Sequence, residues 1–146
     1  MAWYTDFGTD KKFRLGTRKR DVDGKEYVYL EGVASTVANE AVVFDESFAT
    51  TRTVAASVGP VAVSQSACVA SNYGWYQIYG NSTVKTDASV ATDTQIYVTS
   101  TAGDVDDADS STDAIIGMYA TAADDSAAAT TAVWLNYPHI SPAAID

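Results

Sequence analysis

The run Tyr73-Gly74-Trp75-Tyr76-Gln77-Ile78-Tyr79-Gly80 constrains this chain more than any other stretch. A strand sends alternate side chains to opposite faces, so Tyr73, Trp75, Gln77 and Tyr79 share one face while Tyr76 and Ile78 share the other. Both faces then carry large apolar surface, and such a strand has to be covered on both sides. The preceding run, residues 60–70, is small and β-branched, and Asn72 offers a turn between the two. The pair reads as an antiparallel hairpin at the centre of a β-fold, with Gly74 and Gly80 allowing close backbone approach or a bulge.

Shorter runs surround this centre. Residues 13–20 and 26–31 flank Asp23-Gly24, a two-residue hairpin signal in which both turn positions want positive φ. Val28 and Leu30 then face one side of the second run, Tyr27 and Tyr29 the other. Further strands are predicted over 41–44, 51–55, 83–85, 94–99, 114–120 and 131–137, with Pro138 and Pro142 ending regular structure. About eight to ten short strands at this spacing predict an all-β fold, an antiparallel barrel or sandwich. The expected organisation is an extended N-terminal arm (1–12), a β-rich domain (13–138) and a C-terminal tail (139–146). Abundant Ala, Thr, Val, Ser and Tyr with few Leu favour strands over helices, and 47% hydrophobic residues suit a globular domain.

Charge is divided unevenly. Residues 1–25 hold seven Lys or Arg against four Asp, a net of +3, whereas residues 26–146 hold two against fifteen acids, a net of -13; together these return the total of -10. The acidic body repels nucleic acid, and only the first 25 residues attract a phosphate or an acidic protein surface. Three aromatics, Trp3, Tyr4 and Phe7, lie within seven residues of the start, beside Lys11, Lys12 and Arg14. Such an arm either docks on something or frays as a terminus; twelve extended residues reach roughly 40 Å, enough to cross onto a neighbouring subunit. The cluster Arg18-Lys19-Arg20 reads first as a solvated edge guarded against stray pairing, and three charges are too few to argue a nucleic-acid patch.

Candidates for chemistry are few. His139 is the single histidine and has no ligand-type residue at metal spacing; no phosphate loop, nucleophile elbow or cysteine pair is present. Cys68, the single cysteine, is expected to be a buried, inert thiol in an apolar strand. Nineteen acids leave a carboxylate pair formally open, without a recognisable pattern. The loop with Asp104, Asp106, Asp107 and Asp109 fails an EF-hand register, because Asp109 stands where Gly is required and Ile115 where Glu is required. It reads as a solvated loop, with an irregular cation site as the alternative. No cofactor, no enzymatic activity and no membrane span are expected, and the start Met1-Ala2-Trp3-Tyr4-Thr5-Asp6 lacks the basic and apolar regions of a signal peptide.

Leu15-Gly16-Thr17-Arg18, Asp23-Gly24-Lys25-Glu26-Tyr27-Val28-Tyr29-Leu30, Gly59-Pro60-Val61-Ala62-Val63, the Tyr73-to-Gly80 run and Leu135-Asn136-Tyr137-Pro138 together resemble the small capsid decoration (cement) proteins of tailed bacteriophages, over residues 13–138. The resemblance implies a β-rich virion protein, often a homotrimer, that binds the outer surface of the phage head and locks neighbouring major capsid proteins together. On that reading Trp3, Tyr4, Phe7, Lys11, Lys12, Arg14, Arg18, Lys19 and Arg20 are the expected capsid or subunit contacts, an inference from charge and aromatics and not from the likeness. The rival is a carbohydrate-binding β-module for host-surface attachment, with Trp75, Tyr79 and Trp134 as a stacking platform. Aromatics open to solvent beside polar groups favour sugar; aromatics in the core or a subunit contact favour a scaffold.

Overall fold

The computed structural model describes residues 3–87, 89–108, 114–123 and 130–142. They form ten strands: β1 (Arg18–Arg20), β2 (Glu26–Glu31), β3 (Ala41–Phe44), β4 (Thr50–Arg52), β5 (Gly59–Ser64), β6 (Tyr73–Lys85), β7 (Gln95–Val98), β8 (Val105–Asp106), β9 (Ala114–Ala120) and β10 (Thr130–Ile140), after a 3-10 turn at Trp3–Thr5. The named strands pair antiparallel, in the order β1-β2-β6-β5-β10-β9-β7-β8, with β3 added to β5 and β4 to β3. The order ends in β1 and β8, so the sheet stays open, and its two halves curl face to face as a sandwich instead of closing as a barrel.

Alternation decides which cores this sheet encloses. Ala41 and Val43 of β3 and Val61 and Val63 of β5 enter a large aliphatic core with Ile96, Ile115, Met118, Val133 and Leu135. Their neighbours Val42, Phe44 and Ala62 point the other way, into a second core with Val28, Leu30, Tyr76 and Ile78. On the far face of β2 and β6, Tyr27, Tyr29 and Trp75 form a third, aromatic core. The double-faced strand expected at Tyr73 to Gly80 is therefore real: Trp75 is 1% exposed and Tyr76 fully buried, on opposite faces. One chain supplies enough cover for both, so its large side chains need no partner subunit to bury them.

Several boundaries differ from expectation. β6 does not stop at Gly80 but runs on through 83–85, turning at that glycine with φ +99°; its first half pairs β2 and its second half β10. The hairpin of β5 and β6 registers only Val63↔Gln77 and Ser64↔Tyr76, and residues 65–72 form a loop holding the buried, free Cys68, which is thus not in a strand. β1 is three residues long, not the eight of 13–20, and the turn after it spans three residues: Asp21 N donates to Lys25 O (2.7 Å) and only Gly24 has positive φ. That geometry is a tight turn followed by a bulge, the longer alternative to a two-residue hairpin. β10 continues through Pro138 to the buried Ile140, because a register shift between Leu135 and His139, with Tyr137 at φ 50°, places the proline at a bulge where no ladder N–H is needed. The tail therefore begins after Ile140.

Candidate interaction surface

The N-terminal segment does not extend away from the body. Gly8 and Tyr73 exchange backbone hydrogen bonds (3.1 and 2.8 Å), tying the segment across the start of β6. Trp3 meets Tyr27 and Trp75 edge to face at 5.1 and 5.0 Å, and Tyr4 stacks on Tyr27 with centroids 4.8 Å apart and planes 1° off parallel. Phe7 sits on the other face, over Gly74 and 6.1 Å from Tyr76. A Cβ on Gly74 would lie 1.9 Å from the Phe7 ring, so glycine makes room for this contact. The three aromatics expected to dock on a neighbour thus dock on their own sheet, Trp3 and Tyr4 closing its third core and Phe7 covering its second. Phe13 completes the lid against Tyr29 and Trp75 at 5.4 and 5.2 Å.

The cations of this segment remain outside. Lys11, Lys12, Arg14, Arg18, Lys19 and Arg20 are all exposed. Lys12 Nζ pairs with Asp6 at 2.9 Å, and Arg20 with Glu26 at 3.3 Å. Lys11 lies over the Tyr73 ring at 5.9 Å; Lys19 lies over Trp3, Phe13 and Trp75 at 5.0, 5.0 and 5.6 Å. Among the described residues no carboxylate pairs with Lys11, Arg14, Arg18 or Lys19. β1 is also an end of the sheet, so Arg18, Lys19 and Arg20 line a strand whose outer edge has no neighbour among the described residues, while Arg14 precedes it and Lys11 lies by the start of β6. Edge cations deter unplanned strand pairing and leave positive charge open to an acidic surface.

The opposite holds for the body. Its only two cations, Arg52 and Lys85, turn inward. Glu40 is completely buried and accepts from Arg52 Nε at 3.0 Å and Nη2 at 2.6 Å and from Val37 N at 3.0 Å. Lys85 Nζ lies 3.9 Å from Glu40 and 3.5 Å from Asp104. Asp104, expected in a solvated loop, is 4% exposed, and burial raises its carboxyl above the ordinary range against the opposing pull of Lys85. Asp106 is raised too, again chiefly by burial. Residues 109–113 of that loop lie outside the described residues, as does Asp124-Asp125.

The stacking platform is partly broken. Trp75 belongs to the core, whereas Tyr79 and half-buried Trp134 meet at 5.4 Å and Tyr137 adjoins Tyr79 at 5.2 Å. Tyr119, paired with Trp134 across β9 and β10, is 44% exposed, and Tyr137 43%. The Tyr137 hydroxyl donates to Glu26, which raises its own pKa. Period-two spacing in 114–120 and 131–137 could have flagged Tyr119, but Tyr137 faces this row only because of the bulge. A surface cleft of about 540 Å³ lies elsewhere, lined by Val43, Phe48, Val58, Pro60, Asp45 and Glu46. His139 is exposed on β10 opposite Pro60 and Ile116.

These features define an antiparallel, sandwich-like all-β protein with its unpaired cations gathered on one edge of an acidic body. Compared with models of protein families, with curated proteins and with solved structures, the chain matches none.

Proposed function

We propose that this protein is a capsid decoration (cement) protein, binding the outside of a phage head through its basic edge and bridging neighbouring major capsid proteins. The observation that carries the reading is charge segregation: among the described residues Lys11, Arg14, Arg18 and Lys19, exposed on the N-terminal segment and β1, have no carboxylate partner, while both cations of the acidic body pair with the buried Glu40 and Asp104. A surface of this kind fits an acidic protein patch, and its weakness as a single contact suits a protein used in many copies, where repetition supplies avidity. The resemblance of residues 13–138 to cement proteins points the same way. Placement on the virion and trimeric assembly on the head belong to the same proposal.

The test is occupancy of purified heads. Arg14→Glu with Arg18→Glu reverses two unpaired charges without touching the aromatic lid, so the variant folds normally yet binds heads at least tenfold less well, with the deficit greatest at low salt. Heads carrying the wild-type protein rupture at a higher temperature than bare heads, since a ligand selective for the intact shell stabilises it by mass action. Equal occupancy of wild type and variant, or equal rupture temperatures, refutes the proposal.

A further inference from the structure

A second surface is independent of the basic edge. Between the β1–β2 turn and the bend of β6 at Gly80 lie two recesses of about 350 and 330 Å³, which adjoin at Lys25 and Asn81 to give a two-part cleft. Each falls within the range of small-ligand sites. The first is lined by Tyr4, Tyr27, Asn39, Gln65, Gln77 and Asn81, with Ser82 and Thr83 beyond. The second is lined by Tyr79, Trp134 and the tip of the turn, Asp23 to Lys25.

The donor set is unusual for this chain. A protein of net charge -10 places four carboxamides and no carboxylate around the first recess, with Lys25 its only charge. A cation finds no counter-charge there, and an anion finds only one. Two of the carboxamides are held in place: Gln77 Nε2 donates to Tyr79 O at 3.0 Å and to Asn81 O at 2.7 Å, and Gln65 Nε2 donates to Val63 O at 2.9 Å. Gln77 is 1% exposed and forms the floor of the recess, whereas half-buried Gln65 keeps its oxygen and one amide proton, and exposed Asn81 keeps both donor and acceptor capacity. Amides that both donate and accept complement neighbouring hydroxyls, which do the same. The faces of Tyr79 and Trp134 add what a pyranose requires, an aromatic surface for its C–H face. The order of these residues follows from the bend: Gly80 at φ +99° turns β6 so that Tyr79 and Asn81 serve adjoining recesses.

We infer that this cleft binds a short neutral saccharide, its hydroxyls on the carboxamides of Gln65 and Asn81 and a ring face on Trp134. The site requires no second copy of the chain and no phage head. It supplies a sugar-contacting surface different from the expected row, since Trp75 takes no part and Gln65 and Asn81 do.

The isolated full-length protein is titrated with maltose, cellobiose, lactose and N,N′-diacetylchitobiose and applied to a printed array of neutral, sialylated and sulfated glycans. Binding is followed by side-chain amide NMR signals of Gln65 and Asn81 and by tryptophan fluorescence. At least one neutral glycan is expected to shift these signals, with an affinity insensitive to salt. Trp134→Ala weakens that binding roughly tenfold or more, as loss of an aromatic anchor does. Asn81→Ala, at an exposed position that leaves the fold unchanged, weakens it severalfold and keeps the test valid if Trp134→Ala does not fold. Absence of any glycan binding, binding confined to sialylated or sulfated glycans, or unchanged affinity in Asn81→Ala overturns the inference. No head enters these measurements, so their failure and that of the cement proposal are separate.

Discussion

Replacing Trp3 by Ala tests whether the N-terminal segment is part of the folded body. Trp3 meets Tyr27 and Trp75 edge to face at 5.1 and 5.0 Å, and carries Lys19 Nζ 5.0 Å from its ring. A fully buried Trp→Ala change costs about 3–5 kcal/mol, and Trp3 is only partly buried, which lowers the expectation to about 2–3 kcal/mol. A tally of contacts brackets it: two ring pairs at about 0.5–1.5 kcal/mol each and one exposed cation–π contact at about 0.5–1 kcal/mol come to about 1.5–4 kcal/mol. In a chain of this length each kcal/mol moves the melting temperature by about 2–4 °C, so a fall of roughly 5–10 °C follows. Circular dichroism, which does not depend on the lost indole, measures it, with urea unfolding as a second determination. A double-mutant cycle with Lys19→Met isolates the cation–π share, about 0.5–1 kcal/mol. A melting temperature within about 1 °C of wild type refutes the lid and restores the picture of an arm free to reach a neighbour. Deleting residues 1–12 would remove the lid and lower stability along with any head binding, which is why charge reversal at Arg14 and Arg18 is the cleaner test of the proposed function.

Two further outcomes follow from the inward-turned ions. Arg52→Met leaves buried Glu40 without its two guanidinium bonds and costs about 3 kcal/mol in urea unfolding, whereas the double variant with Glu40→Gln recovers much of that loss, because an uncompensated buried charge costs more than the pair itself provides. Asp104 has its carboxyl raised by burial, so the folded state prefers it protonated: its unfavourable contribution is absent at pH below the ordinary carboxylate value and grows as pH rises through the raised one. Asp104→Asn is therefore expected to stabilise the protein at neutral pH and to lose that advantage near pH 3–4; a variant less stable than wild type at neutral pH would show that the Lys85 contact at 3.5 Å outweighs desolvation.

Strand class and facing were legible because they are local. Alternation placed Val28 and Leu30 opposite Tyr27 and Tyr29, and Trp75 opposite Tyr76, as the cores confirm. Strand ends were less so: a glycine or proline reads as a break, yet Gly80 and Pro138 are bends and bulges within long strands whose partners on both sides hold them in line. The composition of the first 25 residues announced a cationic, aromatic segment, but not that its rings would turn inward while its charges stayed out; that division depends on the aromatic core of β2 and β6 lying within reach. The same distance problem hid the buried ion network and the cleft. Glu40, Arg52, Lys85 and Asp104 are spread over sixty-five positions, and Asn39, Gln65, Gln77 and Asn81 over more than forty, without any shared period. By itself the sequence determined which side chains share a face of each strand and which half of the chain holds the positive charge, since both are set by residue order. Only the tertiary structure decided which faces meet, because that choice is made by long-range pairing of strands whose local patterns are nearly interchangeable.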